Sequence, residues 1–404
     1  MVTFELTEEQ NQLQSMVRAF AKSEVRPALR KIEKGGLTPE LKAKYAELGL
    51  TGIDWPEAAG GAAMGTLARA LVEEELAYGD LGAAFALDAQ GAAATFLLAV
   101  NTPAAHAILK EALGSGATLA FAAAEEGKGQ DDFRTTAQKS GDGWVLTGKK
   151  AFVLRGGDAG GHVVLAQIDA GKGLAGAGAF FVRGGNGGLR AGKVQSTLGL
   201  NAVPMREVVV EGCKVAAADR LDAPGTLNQI LRRFYDRFSL ITAARAVGAA
   251  AGAFEYARAY AEERTAFGKP IGHFQAVAFT LADMATAVDA ARWLLWKACW
   301  SFDRSPSGGE RGDGEPSTTL DCAAAQAQAQ EASWFVTNSA VQVLGGAGYV
   351  QDHPVEKWSR DARTLGLVGL HTQAAHATIA AVELGSPPDA ADLFPLPSLH
   401  ASLA

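Results

Sequence analysis

Two stretches of the chain concentrate the residue types that bind anions or move protons. The first runs from Gln342 to Gln373. It offers a side-chain amide at Gln342, a glycine-rich turn at Gly345-Gly346-Ala347-Gly348, a proline restart at His353-Pro354 and a charged helix through Arg360-Asp361-Ala362-Arg363. The second is Glu263-Arg264-Thr265-Ala266-Phe267-Gly268-Lys269-Pro270-Ile271, followed by Gln275 and Leu281-Ala282-Asp283-Met284. An arginine carries the planar fork of donors that a phosphate or carboxylate accepts, and glycine lets a ligand approach bare backbone. Proton transfer needs a carboxylate or an imidazole held beside the reacting atom, and Asp236 and His371 are of those types. Each feature also has a plainer reading. Glycines after an apolar periodic run cap a helix and turn the chain. Asp236 can pair along its helix face with Arg232, Arg233 or Arg237, and His371 can be a polar residue facing solvent or a ligand.

The elements that must position these residues can be read from periodicity. Thr7 with Glu8, Glu9 and Gln10 is a capping pattern, and Leu13, Val17 and Phe20 follow at helical spacing, so a helix is expected over 7–30. Further helices are expected at about 39–49, 65–79 and 82–100, which makes residues 1–117 an all-helical N-terminal domain. From Thr118 the pattern changes to short strand-like runs (119–121, 144–147, 151–154, 162–167, 179–182 and 207–210) separated by turns such as Gly141-Asp142-Gly143. Residues 118–224 are therefore expected to form a small antiparallel β-domain. The helical period returns over 226–264, 274–304, 317–344 and 355–384, an antiparallel four-helix bundle across 225–384. The hydrophilic run from Ser305 to Thr318 reads as a loop between helices, and 385–404 as a proline-rich tail. The fold class is α+β, mainly α.

Composition limits what such a protein does. The 404 residues are 48% hydrophobic and 20% charged, with a net charge of −7 and a pI near 5.6. That balance argues against nucleic acid or an anionic membrane as the main partner. Cys213, Cys299 and Cys322 share no metal-ligand spacing, so no metal is expected, and their odd number suits a reducing compartment. No signal peptide is apparent, and the apolar region 81–100 is interrupted by Asp88, Gln90 and glycines. A cytoplasmic protein is expected.

Taken together, the two opening stretches resemble the acyl-CoA dehydrogenase family of flavoproteins. Leu48-Gly49-Leu50, with the Pro-Glu and Gly-Gly that follow, is similar too, and the helical, β, helical order is that family's three-domain architecture. The resemblance implies FAD lying extended at a subunit interface, an acyl-CoA substrate, an electron-transfer acceptor and a homo- or hetero-oligomer of homologous chains. On the ADP side it assigns Arg264 to the pyrophosphate. Phe267, Gly268, Gln275, Gln342, Gly345, Gly346 and Gln373 stand at further cofactor positions. On the flavin-ring side it assigns Phe121, Ala124, Phe152 and Leu154. There the family's Thr-Glu-Pro-x-x-Gly-Ser-Asp is written Ala124-Glu125-Glu126-Gly127-Lys128-Gly129-Gln130-Asp131, and its Trp-Ile-Thr strand is Phe152-Val153-Leu154. The catalytic glutamate position is Gly369, and the alternative base position on the first bundle helix is Phe238, with Ser239 where an Arg is usual. His371 and Asp236 are the nearest groups that could substitute. Two readings follow: a non-catalytic subunit that completes the FAD site of a partner, or a self-sufficient flavoenzyme with another base or another chemistry such as elimination or reduction. A cofactor-free assembly protein on the same fold is a third.

Overall fold

The computed structural model describes residues 5–126, 133–157, 159–304, 318–368 and 372–385. The chain begins with seven α-helices: α1 (Glu8–Phe20), α2 (Arg26–Gly35), α3 (Pro39–Glu47), α4 (Gly65–Gly79), α5 (Leu81–Leu87), α6 (Gly91–Val100) and α7 (Pro103–Ser115). Thr7 and Gln10 form the reciprocal capping box that the sequence suggests. The helix expected over 7–30 is interrupted by a π-turn at Ala21–Val25. The one expected over 82–100 splits into α5 and α6, which bend by 54°. Asp88 makes that break: its carboxylate accepts the Gly91 N–H and pairs with Arg69 and Arg245.

Helix α4 is the hub of this half. Glu73, Glu74 and Glu75 are consecutive and all buried. Consecutive helical residues point about 100° apart, so each reaches a different neighbour: Arg245 (2.6 Å), Arg292 (2.7 Å) and Arg18. A buried carboxylate without such a partner would be strongly destabilising, so the three pairs fix how α4 sits among the surrounding helices.

Seven strands follow: β1 (Leu119–Ala122), β2 (Thr136–Ser140), β3 (Gly143–Leu154), β4 (Gly161–Gln167), β5 (Ala177–Arg183), β6 (Leu189–Val194) and β7 (Met205–Val215). The sheet order is β1-β4-β2-β3-β7-β6, with β5 on β4. Most pairs are antiparallel as expected, but β4 runs parallel to β1 and, through the single pair Thr136 and Gln167, to β2. The intervening β2–β3 hairpin and its flanks supply the long crossover that a parallel pair needs. Two expected runs merge into β3. Strands β2 and β6 carry few apolar residues and are largely exposed, which is why periodicity does not reveal them.

The C-terminal bundle is built on α8 (Leu227–Glu263), α9 (Gln275–Arg304) and α10 (Thr318–Leu344). A two-strand hairpin, β8 (Thr265–Ala266) and β9 (Lys269–Pro270), joins α8 to α9. After α10 come α11 (Gly346–Tyr349), α12 (Val355–Leu365) and α13 (Thr372–Glu383). The single helix expected over 355–384 is thus two, because the chain leaves α12 in tightening turns at Gly366, Leu367 and Val368. The loop of residues 305–317 and the tail beyond Gly385 lie outside the described residues. Helix α8 packs closely on α4, and a side chain at Gly248 would collide with the Glu74 carbonyl.

Candidate functional site

The residues assigned to the ADP side gather at one end of the bundle. The ends of α8, α9 and α10 share a hydrophobic cluster that includes Ala257, Met284, Ala340, Leu344 and Trp358. Around it, Arg264, Gln275 and Gln342 are exposed. None of the three side chains has a hydrogen-bond or ion-pair partner among the described residues. Phe267 sits at the tip of the β8–β9 hairpin, 97% exposed and with φ +49°, an uncommon state for a non-glycine residue. Gly345 has φ +58° with open space where a Cβ would stand, and Gly346 is equally open. Unspent donors, bare backbone and an exposed ring in one place fit an extended dinucleotide. Gln373 does not join them. Its neighbour Thr372 donates to Gln330 (2.7 Å), twelve residues before Gln342 and so roughly 18 Å away along α10.

The ring-side residues lie on the β-domain and meet the other end of α8. Phe121 on β1 packs its ring 4.7 Å from Phe234 and 5.3 Å from Phe96. Ala124 accepts the Ala151 N–H at 2.8 Å. Phe152 follows on a β-bulge, where β3 slips against β7 between Lys150 and Val153. It has φ +54° and is 38% exposed. A large aromatic held in strained backbone and offered to solvent is a feature to associate with function. Leu154 is half-buried against the helical core.

The segment beside Ala124 is anchored by a group that the sequence reading did not single out. Lys150 is fully buried and donates to Glu125 (2.5 Å) and to the Ala123 carbonyl (3.2 Å). Burial pushes its ammonium down to about 8 against the pull of Glu125. Burial would raise the Glu125 carboxyl, but Lys150 and the Thr135 N–H outweigh it and hold it below the usual range. Residues 127–132 lie outside the described residues.

Asp236 projects from α8 toward α10, where its carboxylate accepts the Thr319 hydroxyl at 2.9 Å. It is buried, and desolvation raises its carboxyl to about 7 against the opposing pull of Thr319 and Arg232. The helix-face pairing open to it is not its contact with Arg237, which instead binds Asp54 at 2.6 Å. Phe234 and Phe238 stack at 5.3 Å on a different face of α8, so Asp236 is not brought together with Phe121. Phe238 is 5% exposed and part of the aromatic core. A polar seam not foreseen from sequence continues from Asp236: Thr242 donates to Gln326 (2.8 Å), and Thr372 to Gln330. The i, i+4 spacing of Gln326 and Gln330 is the only signal for it. Gly369 and His371, next to Thr372, lie outside the described residues. No three metal-capable groups converge among the described residues, and the three cysteines are buried and free.

Three family models match in sequence order: the acyl-CoA dehydrogenase N-terminal domain over 7–113, the middle domain over 120–213 and the C-terminal domain over 232–382. The chain is 36% identical to cyclohex-1-ene-1-carbonyl-CoA dehydrogenase of Geobacter metallireducens, across 89% of this chain and 93% of that one. Among solved structures it resembles butyryl-CoA dehydrogenase of Megasphaera elsdenii, with a TM-score of 0.86, 30% identity and coverage of 95% of this chain and 100% of the other. An FAD complex of PigA aligns with a TM-score of 0.84 at 25% identity, covering 95% of this chain and 99% of that one. Matched in all three domains and in their order, the chain belongs to the acyl-CoA dehydrogenase family.

Proposed function

We propose that this chain is the non-catalytic subunit of a hetero-oligomeric, FAD-dependent acyl-CoA dehydrogenase of the cytoplasm, and that it completes the cofactor site of a homologous catalytic chain. The observation that carries the reading is a distance. Phe234, against which the ring-side residue Phe121 packs, and Arg264 on the ADP side are thirty residues apart on α8, roughly 45 Å at 1.5 Å per residue. One extended FAD cannot reach both, so each cofactor is shared by two chains. This chain is well equipped for the ADP half, where Arg264 holds the pyrophosphate and Gln342, Gly345 and Gly346 receive it with a side-chain amide and bare backbone. It is poorly equipped for the reaction. Gly369 has no side chain to accept a proton, and Phe238 is a core ring.

FAD held by Arg264, Gln342, Gly345 and Gly346 would supply the acceptor for a hydride from the β-carbon of the acyl thioester, with an external acceptor to reoxidise it. The α-proton must go to a carboxylate, which the partner chain supplies. General-base assistance is worth about 10²–10⁴-fold, so the isolated chain turns over acyl-CoAs very slowly or not at all. An assay with a panel of acyl-CoAs and an artificial electron acceptor tests this, and fast turnover by the chain alone would refute the reading. A self-sufficient flavoenzyme is the second reading, supported by Phe152, a strained and exposed ring placed where a stacking residue belongs. The visible spectrum and the FAD-to-chain ratio of the protein purified alone separate the two, and a colourless, inactive mixed complex leaves the cofactor-free assembly role.

A further inference from the structure

A cavity of about 170 Å³ opens on a third side of α8, away from both Asp236 and the Phe234–Phe238 stack. It is lined by Pro56, Leu98, Ala99, Asn101, Arg233, Arg237 and Phe302. Its polar groups are donors with little to bind. Arg233 is half-buried and its side chain makes no ion pair or hydrogen bond among the described residues. Arg237 spends one terminal nitrogen on Asp54, while its Nε–H is buried without a partner. Asn101 caps α6 and is exposed; its Oδ1 is 3.1 Å from His106 Nε2, and its amide nitrogen has no protein partner among the described residues. Asp54, two residues before the lining Pro56, is already paired with Arg237. A concave site with cationic and amide donors and an apolar floor selects an anion that carries an apolar body. The buried Arg237 Nε–H left unmade is costly, which gives such a ligand a binding advantage over a neutral one.

From these groups we infer a binding site for a small organic carboxylate. The carboxylate is held between Arg233, Arg237 and the Asn101 amide, and its body rests on Leu98, Ala99, Pro56 and the Phe302 ring. An apolar cavity of about 150 Å³ accommodates benzene, so the body is a ring or short chain of that size. The site lies on a different face of α8 from Phe234 and Phe238 and uses none of the residues assigned to FAD.

Benzoate is the probe. Calorimetric titration of the full-length protein with benzoate gives saturable binding, benzamide and inorganic phosphate bind far more weakly, and Arg233→Gln weakens benzoate at least about tenfold, the size of one lost charge-assisted hydrogen bond. Leu98→Trp, which fills the cavity without touching its charges, abolishes benzoate binding while the thermal midpoint holds. Should Arg233→Gln fail to fold, the Leu98 variant decides alone. The inference falls if benzoate does not saturate folded wild-type protein, if benzamide binds equally well, or if a folded variant binds benzoate as wild type does. Phosphate binding as tight as benzoate would overturn the carboxylate assignment.

Discussion

Asp236 is the residue whose physics is most exposed to measurement. Its folded carboxyl titrates near 7, raised by burial, against an unfolded value of about 3.9. Between those values the folded state holds a proton that the unfolded state has lost, so stability falls as pH rises through this window. The contribution is most favourable below about pH 4, and the full penalty applies above pH 7. The slope from this one group is at most about 1.4 kcal/mol per pH unit. Asp236→Asn keeps an acceptor for Thr319 and removes the titration. Denaturant unfolding at several pH values should show the variant gaining on wild type from pH 4 upward and more stable than it at pH 8. Parallel pH profiles for the two proteins would locate the uptake elsewhere. Arg264 is the opposite kind of residue, exposed and without a protein partner, so its value lies in what it binds. Losing a bidentate charge-assisted contact costs about 1.5–3 kcal/mol. Arg264→Lys should therefore weaken FAD retention at least about tenfold in the mixed complex while FAD-free thermal unfolding stays put. Unchanged FAD affinity would remove Arg264 from the cofactor site.

At the scale of elements, the motif after the glycine turn is mostly framework. Lys357 is buried and donates to Asp80 and Asp361 at 2.6 Å each, tying α12 to the N-cap of α5, and Asp361 also accepts the Leu200 N–H. Arg360 pairs with Glu356 and Glu33, on α12 and α2. Removing one member of a buried charge cluster leaves the others uncompensated, so Lys357→Met should cost about 3–5 kcal/mol. A loss below about 1 kcal/mol in denaturant unfolding would contradict that account. These residues tie α12 to the α5 N-cap, to α2 and to the 198–200 segment, and sequence cannot tell such a support from a ligand contact. The long helices α8, α9 and α10 were legible to within a residue or so, since their apolar stripes run for many turns. Asp88 and the turns after Leu365 broke two expected helices, because tertiary partners and local capping overrode a continuous pattern. The positive φ of Phe152 and the buried Lys150–Glu125 pair were not legible at all. Both depend on which strands meet, and strand register is not written in a single segment.

At the scale of the whole molecule, several large aromatics remain exposed on the bundle. Trp293 and Trp300 on α9 and Trp334 and Phe335 on α10 are each about two-fifths exposed, and Phe279 is 60% exposed. Large aromatics spread along two bundle helices mark an interaction surface. Two copies of this chain then pair a good ADP site with a ring pocket lacking the usual hydroxyls, at both interfaces. Pairing with a homologue that keeps the ring pocket and a glutamate makes one interface complete. Holding both halves of FAD on one rigid interface adds contacts without a second entropic cost of association. The mixed oligomer should bind FAD more tightly than the homo-oligomer, so the chain expressed alone purifies pale, and co-expression with a complete homologue yields a yellow, active complex. The deciding measurements are FAD per chain by absorbance and subunit composition by native mass spectrometry. A homo-oligomer carrying one FAD per chain, with its ring against Phe152, would instead make this chain an enzyme in its own right and turn attention to whatever faces the substrate beside Gly369.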